Sequence, residues 1–140
     1  METCGYFDSN IIESLIGVTD TFLFDLKDTN EERHIKHTGV SNERILKNLF
    51  ELDRLGAKIR LRCILVNTVN TDASHYAAIA DIATSLSNLD RVEIIPYHAY
   101  GGSKATLIGL SDNGRREQIP NEQQISEFKS YLAKNSIIAV

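Results

Sequence analysis

Apolar and polar residues along the chain follow two periods. Phe22, Phe24 and Leu26 alternate with Leu23, Asp25 and Lys27. Successive strand side chains point to opposite faces, so this run reads as a strand with one greasy face and one face carrying Asp25 and Lys27. Ile59, Leu61, Cys63 and Leu65 repeat the pattern, with Lys58, Arg60, Arg62, Ile64 and Val66 opposite. Val92 to Tyr97 reads as a third strand. Between them the period changes to that of a helix. Ile45, Leu46, Leu49, Leu52 and Leu55 form one stripe that starts near Ser41 or Asn42 and stops at Gly56. Tyr76, Ile79, Ala80, Ala83 and Leu86 form another behind Asp72. Ile125, Phe128 and Leu132 form a third, which Asn121 and Gln124 open as a capping box after Pro120. Asp8 or Ser9 caps a short helix through Ile11, Ile12, Leu15 and Ile16. Ile137 to Val140 is a last short strand or a docked tail.

The order is β-α-β-α-β-α, which predicts an α/β fold with a parallel sheet of βα units. Asp25, Arg62 and His98 recur at intervals of 37 and 36 residues, one unit each. About three units are too few for a closed barrel of eight. No strand is expected at Glu2-Thr3-Cys4-Gly5. The sheet is therefore a small open one or a piece of a larger one, within a single domain over 1–140.

A parallel sheet binds ligands at the carboxyl ends of its strands. Alternation, with Ile94, Pro96 and His98 taken as one face, places Asp25, Lys27, Arg62 and His98 together on one concave surface. Lys and Arg bind carboxylates, Asp accepts from hydroxyls or an amine, and His donates near neutral pH. Each also has a plainer reading. Asp25 and Lys27 fit a surface ion pair, Arg60 and Arg62 a solvated edge, and His98 a structural histidine. His34 and His37 lie in a polar helical turn expected to face solvent. Cys63 is a buried small hydrophobe.

Net charge is −4, which excludes the basic footprint of non-specific nucleic-acid binding. No apolar run reaches the roughly 20 residues of a membrane span, and the first residues lack the pattern of a signal peptide. Two widely separated cysteines do not make a disulfide scaffold, and the cytoplasm is the expected location. The stretch from Gly101 to Pro120 reads as a long loop.

Glu2-Thr3-Cys4-Gly5-Tyr6, Asp25-Leu26-Lys27, Thr38-Gly39-Val40-Ser41-Asn42 and Pro96-Tyr97-His98, with Lys104 beyond, stand in an order and spacing that resemble a known family. It is that of the glycyl-radical-enzyme activating enzymes, of pyruvate formate-lyase-activating type, in the radical S-adenosylmethionine superfamily. The resemblance covers almost the whole chain and corresponds to the C-terminal part of those proteins. It implies about half of a (β/α)6 partial barrel. It also implies a parent that uses a [4Fe-4S] cluster and S-adenosylmethionine to take hydrogen from a glycine of a partner such as pyruvate formate-lyase.

By this resemblance Asp25 is the ribose-binding aspartate, and Lys27 and His98 contact the methionyl carboxylate and amine. Glu2 is the acidic residue near that amine, and Arg62 lies beside the substrate peptide. Two departures stand out. The CxxxCxxC loop and the glycine-rich strand motif that follows it are absent, so the S-adenosylmethionine site is partial and the cluster has no ligands here. Val66-Asn67-Thr68-Val69-Asn70 replaces a loop in which the family commonly has a proline and a glycine. The chain alone is thus expected to be inactive. The alternative is a degenerate half barrel that binds a ligand or protein without catalysis and dimerises through an exposed sheet edge.

Overall fold

A computed structural model of the chain describes residues 1–100, 106–111 and 115–140. Gly101, Gly102 and Lys104 lie outside the described residues. Four parallel strands form one sheet in the order β1 (Glu2–Thr3), β2 (Phe22–Leu26), β3 (Ile59–Leu65) and β4 (Leu89–Pro96). Among the described residues, five α-helices lie between and after the strands: α1 (Ile12–Ile16), α2 (Glu31–Thr38), α3 (Glu43–Arg54), α4 (Ala73–Ser85) and α5 (Glu122–Lys134). The α/β class and its parallel sheet are as the alternation predicts.

Alternation sorts the two faces of the sheet. Phe22, Phe24, Leu26, Ile59, Leu61, Cys63, Leu65, Val92 and Ile94 are buried and share one core with Leu49, Leu52, Ile79, Phe128 and Leu132 of the helices. Each large side chain removed from water this way contributes about 1.5–3 kcal/mol before the entropy of ordering is charged. Tyr76 of α4 stacks on Phe128 of α5 at 4.5 Å between ring centres.

The helix ends are set by local chemistry. The side chains of Asn30, Asp72 and Asn121 accept hydrogen bonds from Arg33, His75 and Gln124 N–H groups at the starts of α2, α4 and α5. The capping box at Asn121 and Gln124 is complete in both directions. Gly39 and Gly56 take the left-handed conformation that ends α2 and follows α3.

Two expectations are corrected, and the C-terminal tail takes one of its two expected forms. Glu2 and Thr3 do form a strand, paired with Leu23 and Phe24. It has only two residues, too few for a periodic signal. Gly5 turns the chain after it at φ 75°, and a Cβ there would lie 2.2 Å from the Phe24 ring. The polar turn around His34 is a full helix, α2. His34 itself is buried, not solvent-facing, while His37 is exposed. The C-terminal tail docks beside β4 through a parallel bridge between Val92 and Ala139. No helix among the described residues is long and apolar enough to cross a membrane.

Candidate functional site

The face of the sheet that the helices leave uncovered is charged. In register across it stand Asp25 on β2, Arg62 on β3 and Glu93 on β4. Arg62 Nη1 lies 2.7 Å from Glu2 Oε1, and its Nε lies 3.4 Å from Asp25 Oδ1. The hydrogen bond with Glu2 leads the interactions that raise the Arg62 pKa above its ordinary value. Lys27, one step past the end of β2, has its Nζ 3.9 Å from Asp25 Oδ2 and is 45% exposed. Sequence alternation thus brings Asp25, Lys27 and Arg62 together, and the unexpected strand β1 adds Glu2 to them.

Asp25 Oδ1 is buried and accepts no hydrogen bond. The Arg62 Nε is near enough to attract it but does not meet hydrogen-bond geometry, so the contact is electrostatic. That ion pair offsets only part of the cost of burying a carboxylate oxygen without a hydrogen bond. Such a cost is offset when a ligand hydroxyl or ammonium supplies the donor.

His98 does not share this face by strand alternation. Ile94 is the partner of Cys63 and is buried on the helix-covered side. The open face of β4 carries Arg91, Glu93 and Ile95, and the strand ends at Pro96. His98 follows it as an exposed residue with its ring 4.7 Å from that of Tyr100. The charges of Arg91 and Glu93 were the signal for the correct face.

Beside Lys27 a cavity of about 220 Å³ opens between the carboxyl ends of β2 and β3 and helix α2. Ile64, Val66, Val69 and Tyr97 give it apolar walls, and Lys27, His34 and His37 give it basic ones. His34 Nδ1 lies 2.7 Å from the Val40 carbonyl, which only accepts. That nitrogen therefore carries the proton and donates, leaving Nε2 as an acceptor in the neutral ring.

A partly buried polar network supports the chain just after Lys27. Arg33 binds Asp28 through Nε and Nη2 at 2.9 Å each and reaches Asp72 at 2.6 Å. Thr29 Oγ1 lies 2.8 Å from His75 Nδ1. Burial pushes the His75 imidazole down to about 4 against the pull of Asp28. Burial would raise Asp72, but bonds from Ser74, the His75 N–H and Arg33 outweigh it and hold it at about 2. No alternation marks these residues, because they sit in loops and first helical turns. The capping position of Asp72 was their one legible sign.

No family model matches the chain. Its sequence relatives include the trans-4-hydroxy-L-proline dehydratase activating enzyme of Clostridioides difficile. That protein is 37% identical over 131 residues, which are 92% of this chain and 43% of the relative. The pyruvate formate-lyase-activating enzyme of Staphylococcus epidermidis is 30% identical over 122 residues, 87% of this chain and 49% of the relative. Among solved structures, a domain of pyruvate-formate lyase-activating enzyme from Bacteroides vulgatus ATCC 8482 has a TM-score of 0.81 at 21% identity, covering 99% of this chain and 77% of that one. Escherichia coli coproporphyrinogen III oxidase (HemN), a radical SAM enzyme, has a TM-score of 0.67 at 15% identity, covering 96% and 31%.

The fold, four parallel strands alternating with helices, matches a part of these radical SAM neighbours. The chain is a homologue of the glycyl-radical-enzyme activating enzymes and spans about half the length of the relatives it matches. The resemblance carried by Asp25-Leu26-Lys27 and the other motifs is borne out.

The residues present fit one side of S-adenosylmethionine: Asp25 has an acceptor oxygen without a protein donor, and Lys27 has a half-exposed ammonium. They do not fit a [4Fe-4S] cluster, which needs three thiolates. The chain has two cysteines. Cys63 is buried in the core, and burial pushes its thiol well above its ordinary pKa. No group of three or more metal-ligating side chains is found among the described residues.

Proposed function

We propose that this chain is the part of a glycyl-radical-enzyme activase that binds one side of S-adenosylmethionine. The observation that carries the reading is the Asp25 carboxylate, which keeps one oxygen without a donor at the carboxyl end of β2, beside Lys27 and Arg62. Asp25 accepts from the ribose hydroxyls, and Lys27 binds the methionyl carboxylate. Glu2 attracts the methionyl amine while orienting Arg62. Arg62 faces the glycine-bearing peptide of the partner. His98 enters on the family resemblance, as a further contact to the methionyl group from beyond β4.

S-adenosylmethionine, held on one side by Asp25 and Lys27, would supply the hydrogen-abstracting chemistry of the family. The cluster ligands would come from a segment of the parent outside these 140 residues. The partner is a glycyl-radical enzyme of the pyruvate formate-lyase kind, in an anaerobic cytoplasm. This chain alone is inactive, and iron–sulfide reconstitution is expected to give no stoichiometric [4Fe-4S] absorbance.

The test is calorimetric titration of the chain with S-adenosylhomocysteine, which keeps the ribose and the amino-acid head. Binding is expected, and Asp25→Asn and Lys27→Met are expected to weaken it about 10–100-fold each, the loss of one charge-assisted bond. Binding that neither substitution changes would overturn the assignment. The second reading is a degenerate half barrel that binds another ligand or a protein without catalysis. Absence of any S-adenosylhomocysteine binding would select it.

A further inference from the structure

The backbone that leaves the site strand is held by two buried asparagines from opposite sides. The β2–β3 ladder ends at the pair Leu26 and Cys63. One residue further, Asn70 takes over its work. Its Nδ2 donates to the Lys27 carbonyl at 3.1 Å and to the Ile64 carbonyl at 2.8 Å, and its Oδ1 accepts from the Val66 N–H at 2.7 Å. Asn42, at the start of α3, donates from Nδ2 to the next two carbonyls, those of Asp28 at 3.2 Å and Thr29 at 3.0 Å. Both side chains lie in residues at least 96% removed from solvent, with Asn70 1% and Asn42 4% exposed.

Three consecutive carbonyls after a strand end would ordinarily bond to water or to a turn of their own. Here two amides, supplied by elements far apart in sequence, capture all three. The side chains of the same stretch are tied as well, Asp28 to Arg33 and Thr29 to His75. The segment is fixed at more points than a surface loop needs. Fixing it sets where the Lys27 ammonium stands relative to the Asp25 carboxylate before any ligand arrives.

We propose that Asn42 and Asn70 are positioning residues that preset Lys27 against Asp25 for the amino-acid head of the ligand. This rests on the reading of Asp25 and Lys27 given above. Asn70 sets the Lys27 carbonyl, and Asn42 stops the following turn from rotating away.

Two measurements on the full 140-residue chain separate this proposal from the site reading. Hydrogen exchange is followed at amides 28–30 in Asn70→Ala, Asn70→Asp and Asn42→Ala. Asn48→Ala is the control, since Asn48 is equally buried but donates to the Gly5 and Phe7 carbonyls. Exchange at 28–30 is expected to rise about tenfold or more in the first three beyond any global change, and to follow only the global change in the control. Asn70→Asp keeps the acceptor and loses both donors, so it should behave like Asn70→Ala.

S-adenosylhomocysteine affinity is then measured in a double-mutant cycle. Asn70→Ala is expected to weaken binding about tenfold in the unsubstituted chain and by less than about twofold in Lys27→Met. Unchanged exchange at 28–30, or additive effects in the cycle, would overturn the positioning role while the site stands. A chain that does not bind at all would overturn the site reading and the positioning role with it.

Discussion

At the scale of single residues, alternation puts Asp25, Lys27 and Arg62 on one face, as the structure does, because a strand leaves no third direction for a side chain. It failed at His98 because β4 has apolar residues on both faces and ends two residues earlier. It had nothing to offer on His75, which lies in the first turn of α4. That histidine carries a pH prediction. Its pKa in the folded chain is about 4, below the roughly 6.5 of an unfolded chain. The unfolded state therefore takes up the proton first. Stability is complete above about pH 6.5 and falls as pH drops toward 4, by up to about 3 kcal/mol. His75→Gln should flatten that part of a plot of melting temperature against pH. An unchanged slope would mean that other groups carry the acid sensitivity. Thr68 offers a second test. It holds φ 65°, a left-handed conformation in which a β-branched residue is strained by about 1–2 kcal/mol. Glycine would release that strain and cost about 0.5–1 kcal/mol in chain entropy. Thr68→Gly is expected to raise the urea midpoint, by a net of about 0.5–1 kcal/mol. A lowered midpoint would show that the Thr68 side chain makes up for its backbone.

At the scale of elements, most of the fold was legible because caps and periods agreed. Asp72 and Asn121 announced α4 and α5, and both side chains accept the predicted bonds. Helix α2 had its signals too: Asn30 before it, Glu31 and Glu32 in its first turn, Lys36 and His37 in its last, and Gly39 after it. Its sequence still reads only as a turn, because it lacks an apolar stripe and His34 is its one buried residue. Burial there comes from the chain folding back at Gly39 to bring the Val40 carbonyl to the ring, an event no helical period records. Strand β1 was invisible for the same kind of reason, since pairing with β2 defines it and two residues hold no pattern. The capping box of α5 has a further task. Gln124 Nε2 also bonds Asn67 at 2.7 Å and Thr71 at 3.2 Å, tying the helix to the loop after β3. Asn121→Ala should cost about 1 kcal/mol. Gln124→Ala should cost more, because it removes the return bond of the box and both bonds to the loop. Denaturant midpoints that rank the two in the opposite order would assign the stability to the cap alone.

At the scale of the whole molecule, the two faces of the sheet have opposite characters. The helices cover one with a continuous apolar core. The other carries the Glu2–Arg62–Asp25–Lys27 group, with Glu93 in register beside Arg62, and a second group, Arg60, Asp90 and Arg91, toward the amino ends. A face so charged does not serve as a packing surface for apolar side chains. It suits a polar ligand or peptide, which agrees with a site at its carboxyl end. The edges differ as well. Beyond β4 the tail bridges Val92 to Ala139, whereas β1 has no neighbour on its outer side among the described residues. Free strand edges attract further strands, and shortness and charge are the usual protections. Here shortness is present, but Glu2 already turns its carboxylate to Arg62 and guards the edge less. Self-association through β1 is therefore expected at high concentration. It can be read by hydrogen exchange. Amides of β3, at the centre of the sheet, should be the most protected at every concentration, and those of β1 the least. As the chain is concentrated from about 10 µM to about 1 mM, β1 amides alone should gain protection, in step with a rise in sedimentation coefficient. Protection at β1 that stays low across that range, with a constant sedimentation coefficient, would show that two residues are too short an edge to pair.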